Sequence, residues 1–310
     1  MNQTPKNVSQ SVRDRLLSVS KDQKEDYNLT LLRYVTERFL YRLGVSAFRS
    51  HYILKGATLL RIALSDLTYR PTRDIDVLRD RTGDIVSILQ DISEICGVAV
   101  SDDGVEFDSD KTTYQEIKEG DAYHGYRFKV PTRIGSAKIP LQIDMGFGDA
   151  VYPPPKDIVV HTMLDQPEPA ILGYPFESVV AEKFEALVST GMLTSRMKDF
   201  YDLYSLAQTQ TFACAVLYES IHRTFSRRQT EIPVKVPDVL GEPLLRDPSK
   251  ETQWKAFLRR IELETDALPL HEVRNGIARF LEIVWNSELR SGSDSWNPHQ
   301  GWSKSQHSSR

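Results

Sequence analysis

Two aspartates two residues apart, Asp74 and Asp76 in the stretch RPTRDIDVL, have the type and spacing to do chemistry. In alternation with Ile75 and Val77 they read as a strand of period two, with both carboxylates on one face. Like charges this close disfavour each other's ionisation, and a cation removes that penalty. A strand end facing solvent satisfies the same pattern, so the pair needs support from elsewhere. The segment KIPLQIDMGFGD, residues 138–149, supplies a third carboxylate. There Ile139, Leu141, Ile143 and Met145 alternate with Pro140, Gln142, Asp144 and Gly146, which puts Asp144 on the less apolar face of a second strand. If the two strands are neighbours, Asp74, Asp76 and Asp144 make an all-oxygen ligand set suited to Mg²⁺ or Mn²⁺. Phosphoryl or nucleotidyl transfer from an NTP uses such a set.

A glycine turn lies upstream in Lys55-Gly56-Ala57-Thr58, ahead of Leu59, Leu60, Ile62 and Ala63. Gly56 lets the backbone turn tightly and approach a phosphate, and the amides and Thr58 hydroxyl of a helix start favour an anion. An ordinary helix start uses the same residues. Lys55 reads as a solvent-facing charge without a catalytic task. Arg73, beside the carboxylate pair, suits either a phosphate or a surface ion pair. Farther on, Phe176, Val180, Lys183 and Leu187 fall along one side of a helix that follows Pro175. A lysine on an apolar stripe can simply snorkel to solvent. Asp199 and Asp202, three apart, lie near one helix side, and Asp202 reads as structural, bonded to an arginine or a helix end.

These residues need elements to hold them. A chain of 310 residues with 40% apolar side chains can build two domains of ordinary size. A net charge of −4 does not announce a nucleic-acid binder. Two cysteines point to a reducing cytoplasm rather than to a disulfide framework, and neither a secretory leader nor a membrane span is evident. Periodicity predicts helices over 11–19, 27–43 with Gly44 as the stop, and 84–95. It predicts strands at 52–54, 98–100, 105–108 and 126–130, and Pro140 suggests an edge position or a strand start. The stiff VYPPPKDI, residues 151–158, is the expected domain boundary. Beyond it come helices over 176–188, 198–207, 212–225, 252–261 and 270–285, with a long, partly ordered loop at 226–249. Trp254 and Trp285 are assigned to helix packing. The expected fold class is α/β (α+β): a mixed-sheet domain with N-terminal helices over 1–155, a mainly helical domain over 156–290, and disorder in the first eight residues and the 291–310 tail.

Taken together, Lys55-Gly56-Ala57-Thr58-Leu59-Leu60 and Arg73-Asp74-Ile75-Asp76-Val77 resemble the signature of the polymerase-beta-like nucleotidyltransferase superfamily. More closely, they resemble AbiEii/AbiGii-type toxins, the nucleotidyltransferase partners in toxin–antitoxin pairs of bacterial phage defence. AEKFEAL at 181–187 and RMKDFYDLYSL at 196–206 are similar to the later motifs of that family. The family pattern has Gly-Gly or Gly-Ser where this chain has Gly56-Ala57. The resemblance implies a polymerase-beta-like fold, catalysis by Asp74, Asp76 and Asp144, and nucleotide binding at Gly56, Ala57, Thr58 and Arg73. It also implies that Lys183 reaches across an interdomain cleft to the triphosphate, with Asp199 orienting it or assisting near the nucleophile. The implied reaction moves a nucleoside monophosphate from an NTP to the 3′ acceptor end of tRNA or to another RNA hydroxyl, which arrests translation and calls for a cognate antitoxin. Transfer to a protein or a small molecule, and a non-catalytic module on the same scaffold, are the competing readings.

Overall fold

The structure is a computed structural model that describes residues 7–64, 70–80, 83–118, 124–264, 267–290, 294–298 and 300–304. The loose arm expected at the N-terminus falls outside these residues from 1 to 6, as do 291–293, 299 and 305–310 of the expected tail. The chain divides into two compact units, Met1–Asp149 with Pro155–Tyr174, and Ala150–Pro154 with Pro175–Arg310.

In the first unit, helices α1 (Val8–Asp22) and α2 (Tyr27–Val45) begin at Asn7 and Asp26. The side chains of these caps accept the N–H groups of Gln10 and Leu29, satisfying donors that a helix start leaves unpaired. The Asn7 cap starts α1 earlier than the apolar pattern alone predicts. Gly44 does not stop α2. A Cβ there would lie 2.8 Å from the Ala170 carbonyl oxygen, so this glycine allows a close backbone approach instead.

Strand β1 (Tyr52–Lys55) runs into helix α3 (Gly56–Ala63), followed by β2 (Asp74–Arg79) and α4 (Ile85–Cys96), which Asp84 caps. Next come β3 (Val105–Phe107), β4 (Thr113–Lys118), β5 (His124–Val130), β6 (Thr132–Ile134), β7 (Ala137–Lys138) and β8 (Leu141–Phe147). The unit closes with β9 (Lys156–Val159) and β10 (Ala170–Gly173). Seven strands form one mixed sheet in the order β4-β5-β8-β2-β1-β10-β9, and β3, β6 and β7 form a small second one. In the large sheet β2 runs parallel to β8 and β1 parallel to β10, while the other pairs are antiparallel. Ile75, Val77, Ile143, Met145 and Phe128 are buried, so the apolar half of each alternation became core as its period requires.

Two expectations are corrected in this unit. Residues 98–100 form no strand. Of the two alternatives expected at Pro140, the strand start holds: Pro140 stands just before β8, a central strand, and its missing N–H removes nothing from the ladder. VYPPP is not the last crossing between units. The chain returns to the large sheet for β9 and β10, where Ile171 is buried, and leaves it for good after Tyr174.

The second unit is mainly helical: α5 (Phe176–Thr190), α6 (Met197–Thr209), α7 (Cys214–Arg228), α8 (Glu242–Arg246), α9 (Pro248–Arg260) and α10 (Leu270–Phe280). The stretch expected to be a long loop carries α8 and the start of α9, with Val239, Leu240 and Leu244 buried against the helices. Trp254 is fully buried and donates its indole N–H to the Leu268 carbonyl. Three short strands, β11 (Phe212–Ala213), β12 (Asp294–Asn297) and β13 (Gly301–Lys304), form a third sheet. Two of these lie in the tail expected to be disordered. Trp296 explains the difference: it is buried edge-on to Phe280 at 5.0 Å, and its indole N–H donates to the Ala207 carbonyl at 2.7 Å. Trp302 joins it, stacked on Phe280 and donating its own indole N–H to the Phe280 carbonyl at 2.9 Å, so two large aromatic side chains with satisfied N–H groups outweigh the polar composition around them. Cys96 and Cys214 are free thiols, and among the described residues no helix is long and apolar enough to cross a membrane.

Candidate active site

Parallel pairing of β2 with β8 brings the distant carboxylates together. The register sets Asp76 opposite Asp144 and Asp74 opposite Gln142, so all four side chains lie on one face. One carboxylate oxygen from each of Asp74, Asp76 and Asp144 lies within 4.8 Å of the others, and all three residues are half-buried. Oxygen-only donors at this spacing fit a hard divalent cation.

Gly56 stands at the neighbouring corner, where β1 ends and α3 begins. Its φ is +70°, in the left-handed region, and a Cβ on it would fall 1.9 Å from the Asp76 Oδ2. Both observations require glycine: the backbone conformation, and the carboxylate packed against the bare α-carbon. Ala57, where the family pattern has Gly or Ser, is buried in the first turn of α3 and has no positive φ, so the turn survives the replacement. Thr58 does not present its hydroxyl to the cluster as an open donor. That hydroxyl donates to the Asp74 carbonyl at 2.9 Å and ties α3 to the start of β2. The Thr72 hydroxyl donates to the Asp74 carboxylate. Arg73 is exposed at this entry.

Two cations next to the cluster escaped the sequence reading. Arg127 on β5 pairs in register with Asp144 and grips it with two bonds, Nε to Oδ1 at 2.8 Å and Nη2 to Oδ2 at 2.6 Å. These hydrogen bonds to Asp144, with the negative charges of Asp144, Asp74 and Asp76, raise the pKa of Arg127 above its ordinary value, although burial opposes them. Its alternation with Tyr126 and Phe128 could have put Arg127 on a polar face, but only the strand order reveals its partner. Lys55, read as a solvent-facing charge, stands opposite Asp76 in the β1–β2 register. Its ammonium bonds the buried Asp149 carboxylate at 2.6 Å and lies 5.3 Å from the Tyr174 ring centroid.

Lys183 and Asp199 belong to the helical unit. The Lys183 ammonium on α5 meets two carboxylates of α6, Asp199 at 2.8 Å and Asp202 at 2.6 Å. Lys183 therefore does not snorkel, and Asp202 is bonded to this lysine. Arg196 approaches the other oxygen of Asp199 at 3.6 Å. The two aspartates are buried, and each keeps a cationic partner as burial of charge demands.

The motifs in both units fall inside one family match. The model of the nucleotidyl transferase AbiEii toxin, of Type IV toxin–antitoxin systems, matches residues 38–282. The chain belongs to this family. An AbiEii-family toxin is a nucleotidyltransferase, with a nucleotide as substrate and an antitoxin as counterpart. No curated protein matches the chain in sequence. Among solved structures it is similar to JHP933 from Helicobacter pylori, at 13% identity with a TM-score of 0.49, over 86% of this chain and 96% of that one. It is also similar to a second Helicobacter pylori protein, provisionally assigned as a nucleotidyltransferase, at 13% identity with a TM-score of 0.46, over 82% and 93% of the two chains.

Proposed function

We propose that this toxin transfers a nucleoside monophosphate from an NTP to a hydroxyl, with the 3′ acceptor end of tRNA as the acceptor. The observation that carries the reading is the convergence of Asp74, Asp76 and Asp144 beside the Gly56 turn. A Mg²⁺ or Mn²⁺ ion held by these three carboxylates supplies the positive charge that neutralises a triphosphate and lowers the pKa of an attacking hydroxyl. The chain's own residues do the rest. Gly56 leaves the corner open to a phosphate, and the first N–H groups of α3, at Gly56, Ala57 and Thr58, favour an anion there. Arg127 balances the charge of Asp144 and yields it to the cation. Arg73 adds a cation for the phosphates. Lys183, steadied by Asp199, serves the triphosphate as the family likeness suggests. The acceptor oxygen bonds to the α-phosphorus, the bond to the β-phosphate oxygen breaks, and pyrophosphate leaves while the hydroxyl proton passes to solvent.

The choice of tRNA rests on the family, since a chain of charge −4 has no overall cationic footprint for RNA. Labelled NTPs, incubated with the protein and with separate RNA, protein and metabolite fractions, test both steps. Label is expected in tRNA with the parent and in nothing with Asp76→Ala, whose circular dichroism should match the parent's. Label confined to protein or metabolites overturns the acceptor, and no label anywhere overturns nucleotidyl transfer.

A further inference from the structure

The strands that carry Arg127 and Asp144 continue past the active site. β5 with β6, and β7 with β8, make one long hairpin in a single register. Arg127 faces Asp144, Lys129 faces Gln142, Ile139 donates its N–H to the Thr132 carbonyl, and Arg133 faces Lys138. The ladder is interrupted where Pro131 meets Pro140, two residues with no N–H to give it. Burial alternates without a slip from Arg127 to Ile134 and from Lys138 to Met145, so one side of the hairpin faces solvent along its whole length. That side carries Arg127, Lys129 and Arg133 on one arm and Asp144, Gln142 and Lys138 on the other. Lys138 precedes Asp144 by six residues, about 20 Å of extended chain.

Toward its tip the hairpin borders an open cleft of about 810 Å³, whose wall includes Lys111, Arg133 and Lys138 together with Glu106 and Asp108. Both carboxylates are already engaged, Glu106 with Arg133 at 2.5 Å and Asp108 with Lys111 at 2.6 Å. Lys129 and Lys138 are exposed and form no ion pair among the described residues. Two uncommitted cations thus follow the carboxylate cluster along one solvent-facing surface.

We propose that this surface is the track of the acceptor RNA, with the reacting 3′ hydroxyl at the carboxylates and the upstream phosphates of the same strand on Lys129 and Lys138. The inference rests on the nucleotidyl-transfer reading above and says how the acceptor is held. Position is the first argument. β1 with the Gly56 corner flanks β2 on one side, and β8 with β5 flanks it on the other. Attacking and leaving oxygens lie roughly in line across the phosphorus, so a triphosphate seated at Gly56 leaves the β8 side to the acceptor. Reach is the second. A small metabolite does not span 20 Å, whereas a strand with a phosphate at every nucleotide meets each cation in turn. The footprint is local, which is why a net charge of −4 conceals it.

The test is the anisotropy of 5′-labelled bulk tRNA on the intact protein at several salt concentrations. Lys129→Gln and Lys138→Gln are each expected to weaken binding about threefold and together about tenfold, each lowering the slope of log affinity against log salt by about one. Lys156→Gln removes the same charge from β9, the far edge of the same sheet, and should change neither quantity. All three lysines are exposed, and thermal unfolding checks that each variant folds. Unaltered affinity and slope in the double variant overturn the track, as does an equal loss in Lys156→Gln. Polyglutamate held as tightly as tRNA by the parent would assign the surface to an acidic protein and overturn it too. A parent that binds no tRNA takes the tRNA acceptor of the proposed function down with the track, whereas a parent that labels tRNA while the double variant binds it normally sinks the track alone.

Discussion

Asp199 and Asp202 in the helical unit and Asp74, Asp76 and Asp144 in the sheet unit are one kind of side chain in two electrostatic settings. The helical pair is sealed. Its carboxylates are 5% and 0% exposed as side chains and close on one lysine between them. The sheet cluster is half-open: the Asp144 side chain is 15% exposed and its guanidinium partner 32%, so solvent and solutes reach both. A buried charge that loses its partner is costly, so a sealed pair acts as a fixed strut. A half-open cluster of like charges can exchange partners with a dissolved cation at little cost. The carboxylates proposed to do chemistry are thus the ones the fold leaves incompletely enclosed.

The largest effect should come from the open cluster and appear in the reaction alone. Asp74→Asn keeps an acceptor for the Thr72 hydroxyl and removes one negative charge. Transfer should fall by about 10⁴-fold, roughly 5 kcal/mol in transition-state terms, while the thermal midpoint holds or rises because like charges repel less. A lowered midpoint would show that the cluster is structural after all.

Lys183→Met should lower stability as well as transfer. It leaves Asp199 and Asp202 buried without the ammonium they share, and urea unfolding should report a loss of about 3 kcal/mol. Unchanged stability would mean that this pair is no more enclosed than the sheet cluster.

Arg127→Gln probes partner exchange directly. Removing the guanidinium leaves Asp144 with the Gln142 amide at 3.3 Å from Oδ1 and makes the cluster more negative, so Mn²⁺ followed by its electron paramagnetic resonance signal should bind about tenfold more tightly. Weaker binding would show that Arg127 holds Asp144 in its ligating position rather than competing for it.

Glu37 offers a third setting and the smallest effect. Burial raises its carboxyl to about 7, although the neighbouring Arg38 and the N–H of Met163 oppose the shift. An unfolded glutamate titrates near 4.5, so between about 4.5 and 7 the folded state holds more protons. Stability from this group is complete below pH 4.5 and is lost as the pH rises toward 7. The thermal midpoint should therefore slope downward across that window in the parent and flatten in Glu37→Gln. A slope that persists in the variant would assign the effect to other groups.

Much of the site was legible because it lies on period-two segments bounded by a glycine. Asp74, Asp76 and Asp144 each alternate with aliphatic residues that proved to be core, and Gly56 stands at a strand-to-helix corner. Arg127 and Lys55 were not legible as part of the site. Their importance comes from which strand lies beside which, and a lysine or arginine on a strand carries no mark of its cross-strand partner. β4 escaped notice for a different reason. Its residues are mostly exposed on both faces at the edge of the sheet, with Tyr114 at 50%, so no alternation records it. The β12–β13 hairpin was hidden by polar composition, because two tryptophans, Trp296 and Trp302, seated on Phe280 anchor it.

By itself the sequence determined the local elements and the facing of their side chains, since the periods of helix and strand are properties of the backbone and need no tertiary contact. It also determined the family, through short motifs in a fixed order. Only the tertiary structure decided that β2 and β8 run side by side with Asp76 opposite Asp144, that Arg127 holds that carboxylate, and that Lys183 is sealed between two others. Strand order and burial depend on how segments distant in the chain pack against one another, and the energy of a charge depends on that packing far more than on its neighbours in sequence.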